Sequence, residues 1–146
     1  MKNRLLMVCA GVVLGIAGVL ASASGAHAGS YTPPGYYLLT AAQCEGGTKI
    51  GDRVLTNRLG DTQGRQRVYR HSSGMRCALT YHYAGEPTQV RVNVRRDGWQ
   101  TVAYDSGIYR YYAGAVGSYG CIWVNSHISM GPYSVDKFST PTTKYC

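Results

Sequence analysis

Any catalytic centre in this chain has to be built from few residues. Beyond position 28 the sequence offers His71, His82 and His127, the cysteines Cys44, Cys77, Cys121 and Cys146, and a handful of carboxylates. An unperturbed imidazole is neutral near physiological pH and can serve as a general base. Joined to a carboxylate and a guanidinium it would meet the needs of a small secreted ribonuclease, for which Glu86, His82 and Arg91 are the best candidates. Glu86 stands before Pro87 in a turn, and His82 is expected on an exposed strand face, so a plain surface role competes with catalysis. The signatures G-x-S-x-G, H-E-x-x-H and G-x-x-x-x-G-K are absent from the sequence, which removes the usual marks of serine hydrolases, zincins and phosphate-loop enzymes. A secreted protease inhibitor fits the size and the cysteines, but no reactive loop stands out. No catalytic residue and no cofactor is assigned.

The cysteines have a compartment to match. Lys2 and Arg4 precede the apolar run Leu5 to Leu20, and Ala26-His27-Ala28 has the small-x-small form that signal peptidase accepts. The run includes Gly11, Gly15 and Gly18 and falls short of the roughly 18 to 20 residues that span hydrocarbon. Residues 1–28 are therefore expected to be a cleaved secretory signal that takes Cys9 with it and leaves no membrane segment. Four cysteines in an exported chain imply two disulfides. Zinc is the competing use, but no pair has C-x-x-C spacing, so no metal site is expected. Of three possible pairings, Cys44 with Cys77 and Cys121 with Cys146 is preferred, because each ties a peripheral segment to an interior strand.

Without the signal, 13 of the 15 basic residues and all 7 acidic ones remain, a net charge of +6. Charged residues are only 15% of the 146-residue chain and hydrophobic ones 45%, which excludes a disordered tail and fits one domain. Residues 29–42, with Pro33-Pro34, are expected to form an extended, mobile amino-terminal arm, and residues 43–146 a single disulfide-bonded domain.

The elements that would position these groups follow a period of two, interrupted by glycines, so the domain is read as all-β: a small antiparallel sandwich or barrel-like meander of about seven to nine short strands. In Thr88 to Arg95, Val90, Val92 and Val94 alternate with Gln89, Arg91, Asn93 and Arg95, giving one packed and one wet face. Met75 to Tyr83 is expected to pair with it as a hairpin through Ala84-Gly85-Glu86-Pro87. That strand would turn Cys77, Leu79 and Tyr81 inward and Arg76, Ala78, Thr80 and His82 to solvent. Arg65 to His71 before it and Trp99 to Asp105 after it complete a four-stranded meander. Ile108 to Val116, Cys121 to Val124 and Tyr133 to Phe138 supply the rest, and no helix is expected.

Pairing across that hairpin would gather Arg76, His82, Arg91 and Arg95 into a basic patch suited to phosphate or carboxylate. Tyrosine, with 13 copies against 1 Phe and 2 Trp, offers rings that can stack on sugars, most densely at Tyr109, Tyr111 and Tyr112. Trp99 and Trp123 are expected to be core anchors.

The segment Asp105-Ser106-Gly107-Ile108-Tyr109-Arg110-Tyr111-Tyr112-Ala113-Gly114-Ala115-Val116 resembles the secreted spore-associated protein A family of streptomycetes. Cys44-Glu45-Gly46-Gly47, Ser73 to Thr80, Arg96-Asp97-Gly98-Trp99 and Gly120-Cys121-Ile122-Trp123 agree with it, as does a terminal cysteine. The resemblance covers roughly Gln43 to Cys146 and departs after Trp123, where the family often has glycine and this chain has Val124-Asn125-Ser126-His127. It implies a small exported protein of the spore surface. The expected partner is spore-coat or cell-wall polymer, a polyanion or a glycan, with no specific nucleic acid and no membrane.

Overall fold

The structure, a computed structural model, describes residues 29–129 and 137–146. The expected signal 1–28 and most of the strand expected at Tyr133 to Phe138 lie outside the described residues. The described chain is an antiparallel β-sandwich. Its elements run β1 (Gly29–Tyr31), β2 (Tyr36–Leu38), α1 (Ala41–Glu45), β3 (Thr48–Thr56), β4 (Thr62–Arg70), β5 (Met75–His82), β6 (Thr88–Arg96), β7 (Val102–Tyr109), β8 (Tyr112–Tyr119), β9 (Ile122–Ser129), β10 (Lys137–Ser139) and β11 (Thr143–Tyr145). Sheet A has the order β1-β7-β6-β9-β10, with β11 also on β9, and sheet B the order β2-β8-β5-β4-β3.

The all-β expectation holds, but the four-stranded meander does not. β4 pairs with β5 and β6 with β7, whereas β5 lies in sheet B and β6 in sheet A. The Ala84–Pro87 link therefore carries the chain from one sheet to the other. The composition of β5 explains why: Ala78, Thr80 and His82 are as buried as Cys77 and Leu79. A strand with no wet face needs cover on both sides. Sheet A covers Ala78, and Cys44 of α1 packs on the side of Cys77, Leu79 and Tyr81.

Between the sheets Val90, Val92 and Val94 meet Val68, Ala78, Val116, Ile122, Val124 and Ile128, each large side chain stabilising the fold by about 1.5–3 kcal/mol relative to exposure. Gly64 leaves room at one end, since a Cβ there would run into the Tyr81 carbonyl of the neighbouring strand and stand 2.5 Å from Cδ1 of Ile128.

The arm is extended but stitched down, because β1 adds to the edge of sheet A and β2 to the edge of sheet B. Gly35, at φ 87°, makes the turn between them, and a Cβ there would meet the Trp99 ring at 2.7 Å. Trp99 also packs edge-on against Tyr36, so it flanks the core as expected. The unexpected helix α1 is held by a capping box. Thr40 Oγ1 accepts from Gln43 N, and Thr40 N donates to Gln43 Oε1, the S/T-x-x-E/Q pattern of a helix start.

Both disulfides have the preferred pairing, Cys44–Cys77 and Cys121–Cys146. All four sulfurs are thereby withdrawn from zinc. Two disulfides suit an oxidising compartment, and no described helix is long and apolar enough to cross a membrane.

Candidate functional site

The outer face of sheet A is where the outward residues of β6, β7 and β9 meet. Strand register sets Arg91 between Ser106 and His127, Asn93 between Tyr104 and Asn125, and Arg95 between Val102 and Trp123. These side chains hold one another in place. The Arg91 guanidinium lies 4.2 Å from the centre of the Tyr104 ring, and Arg91 Nε donates to Asn93 Oδ1 at 2.7 Å. Asn93 Nδ2 donates to Asn125 Oδ1 at 2.7 Å, and Asn125 Nδ2 to Thr142 Oγ1 at 3.3 Å. Arg95 and Lys144 lie 5.6 and 5.7 Å from the Trp123 ring centre.

Two hollows follow this line. One of about 400 Å³ is lined by Gln89, Arg91, Asn93, Ser106, His127 and Ser129, among others. The second, about 410 Å³, is lined by Asn93, Arg95, Val102, Trp123, Asn125 and Thr142. Asn93 belongs to both, so they form one track, and no carboxylate lines either among the described residues. Asp97 stands at the Trp123 end, where it accepts from Trp123 Nε1 at 2.8 Å and pairs with Lys144 at 2.6 Å. The hydrogen bonds from Lys144 and Trp123 hold its carboxyl below the usual carboxylate range, and the charges of Lys144 and Arg95 add to the pull. Among the described residues, neither Arg91 nor Arg95 has an ion-pair partner. Such a surface can bind an anion and hydrogen-bond to hydroxyls or amides beside it.

The structure splits the expected patch. Arg91 and Arg95 share the outer face of sheet A, but Arg76 is in sheet B, half-buried, with Nη1 on the carbonyl of Gly74 and Nη2 on that of Cys146. Burial and the nearby Arg70 lower its pKa. His82, expected at the surface, is only 5% exposed. Its ring nitrogens make no well-formed hydrogen bond among the described residues, the nearest acceptors being the backbone carbonyls of Tyr109 and Arg110. Burial pulls its pKa below the ordinary histidine value, a pull that the carbonyls of Tyr109 and Arg110 partly oppose. The hydrolase candidates Glu86, His82 and Arg91 are likewise apart: Glu86 is exposed in the β5–β6 link, His82 lies inside, and Arg91 is on the far face of sheet A.

Tyr109, Tyr111 and Tyr112 line a separate hollow of about 310 Å³ at the β7–β8 turn. Their roles diverge there. Tyr109 donates to Asp105 at 2.7 Å, with its pKa raised by burial and that carboxylate. Tyr112 stacks against Tyr81, and Tyr111 is exposed. His71 sits 3.8 Å from Cys77 Sγ.

Trp123 is not the expected core anchor, because β9 buries Ile122, Val124, Ser126 and Ile128 and turns Trp123, Asn125 and His127 outward. That alternation was readable in the sequence beyond Val124, where the expected strand stopped. Asn93 and Asn125 carry no motif, and only cross-strand register makes them a pair. Compared with known proteins, the chain matches no family model, no curated protein and no solved structure.

Proposed function

We propose that this chain is an exported, non-catalytic surface protein that attaches to anionic or glycan polymer of the spore coat or cell wall through the outer face of sheet A. The observation that carries this reading is the track around Arg91 and Arg95, where two cations that form no ion pair among the described residues are braced by aromatic rings and amides. Preorganised side chains lose less entropy on binding. The expected signal, the two disulfides and the family resemblance support placement outside the cell.

The test is retention of the mature protein on purified wall and on spores. Charge-led attachment weakens as salt rises, because the Debye length falls from about 10 Å at 0.1 M to about 3 Å at 1 M. Arg91→Ser with Arg95→Ser leaves the inward valines untouched and is expected to keep the fold and reduce retention. Full retention by that folded variant overturns the assignment to this face.

A further inference from the structure

Resting on the attachment reading, we propose that the track on sheet A takes a glycan in which carboxylated and uncharged sugars alternate. The row Ser106–Arg91–His127 would seat one carboxylate, the Asn93–Asn125 pair the uncharged sugar, and Arg95 beside Trp123 the next carboxylate.

Spacing carries the argument. Arg91 and Arg95 are four residues apart on one strand, about 13 Å at the usual rise per residue, and both turn outward. Between them the described side chains of the face carry no charge, namely the amides of Asn93 and Asn125 and the phenol of Tyr104. Asn93 and Asn125 offer carbonyl and amino groups on neighbouring strands, held in fixed orientation by their mutual hydrogen bond and by Thr142. Amides of this kind bond sugar hydroxyls or acetamido groups, which both donate and accept.

A polymer with a charge on every unit would lay a third carboxylate or phosphate over Asn93 and Asn125, where the Arg91 guanidinium that leans on Asn93 is already shared with the first charge, at a desolvation cost. An alternating polymer brings its charges to the two guanidinium groups and leaves its neutral unit to the amides. The Arg91 end is built for an anion, since its guanidinium is held by Asn93 and Tyr104, with Ser106 and His127 directly opposite on either side. At the other end the indole of Trp123 supplies an apolar surface next to the cation, which suits the C–H face of a sugar ring.

The experiment is calorimetric titration of the mature protein with size-matched oligosaccharides. The probes are alternating glucuronate and N-acetylglucosamine, the same oligomer with its carboxyls reduced, oligogalacturonate, and a glycerol phosphate oligomer. The alternating acid is expected to bind at least about tenfold more tightly than each of the others. Arg91→Ser and His127→Gln should each weaken it severalfold. Asn93→Ala with Asn125→Ala should abolish the preference over oligogalacturonate. Arg58→Ser with Arg110→Ser, which removes two charges from exposed sites elsewhere, should change little; thermal melts verify that each variant is folded.

Equal binding of the reduced oligomer overturns the carboxylate seats, and equal or tighter binding of oligogalacturonate or glycerol phosphate overturns the alternation. Retention on wall with no binding of the alternating probe sinks this inference alone. Binding of the probe without retention on wall or spores sinks the attachment reading alone.

Discussion

On the outer face of sheet B, Arg67 lies 4.9 Å from the centre of the Tyr81 ring, and its charge meets Glu45 at 3.4 Å. On the outer face of sheet A, Arg91 lies 4.2 Å from the Tyr104 ring and meets no carboxylate among the described residues. The residue types are the same and the outcomes differ. Glu45 Oε1 also accepts from Tyr81 at 2.8 Å and Tyr69 at 3.2 Å, so one carboxylate at the end of α1 draws the arginine and both tyrosines into a closed network. Asp52 does the same for Lys49 and Arg65. Sheet B ties its charged groups to one another and to α1, whereas Arg91 and Arg95 of sheet A, the proposed binding face, form no ion pair among the described residues. Neutralisation, more than the count of arginines or tyrosines, separates a structural face from a binding face.

The largest effect on that contrast comes from removing the covalent part of the cover. Cys44→Ser with Cys77→Ser opens the link across 33 residues and should cost about 4 kcal/mol in urea unfolding, by the chain-entropy account. Binding on sheet A should survive wherever the variant is folded, because Arg91, Asn93 and Trp123 do not touch α1. A loss below about 1 kcal/mol would show that Glu45 and its partners hold the helix unaided.

Next comes a direct exchange of faces. Arg65→Ser with Arg67→Ser and Arg91→Ser with Arg95→Ser remove the same charge from opposite sides of the sandwich. Retention on wall polymer should fall by about tenfold, or 1.4 kcal/mol, for the sheet A pair and remain nearly unchanged for the sheet B pair. Equal losses would mean that net charge, not the site, governs attachment.

Much of the sandwich was legible in the residue pattern, and the way the pattern fell short is instructive. The valines of β6 face the core as their alternation requires, and the cysteine pairing follows from tying loose ends to inner strands. The partner of β6 could not be read the same way. Alternation gives each strand a face but not a neighbour, and a hairpin and a sheet-to-sheet crossing look alike over four residues such as Ala84 to Pro87. β5 held the clue, because Ala78 and Thr80 are small enough to sit beneath a second sheet, whereas a solvent face usually carries larger polar groups. Placing β5 in sheet B buried His82 and left Arg91 and Arg95 with Asn93, Asn125 and Trp123 instead. The short β1, β2 and β11, at three residues each, carry too little pattern to be found before their partners are known.

A smaller change probes neutralisation itself. Glu45→Gln keeps an acceptor for Tyr69 and Tyr81 but removes the charge that holds Arg67. At this partly exposed site the cost in stability should be about 1 kcal/mol. If pairing is what keeps sheet B silent, freeing Arg67 should raise retention on anionic polymer slightly at low salt and not at high salt. A drop in retention would contradict the contrast between the faces, since Glu45 lies far from the sheet A track in the sandwich.

The smallest effect concerns the histidine that the fold took away from the surface. The unfolded chain binds a proton at His82 as pH falls through about 6.5, while burial holds the folded ring's pKa lower. Above that pH both states are neutral there, and His82 gives no slope. Between it and the lower folded value the unfolded state alone is protonated, so stability is lost as pH falls, and the loss levels off once the folded ring also takes its proton. The quantity to measure is the difference between the natural chain and His82→Leu in urea unfolding from pH 7.5 to 5, which cancels the contributions of all other groups. The variant should lose less stability over that interval, with the two curves parallel above about pH 6.5. Binding on sheet A should show no such difference, because His82 points between the sheets and Arg91 points away from them. A His82→Leu variant that altered the pH dependence of binding more than that of unfolding would join the two regions that the sandwich keeps apart.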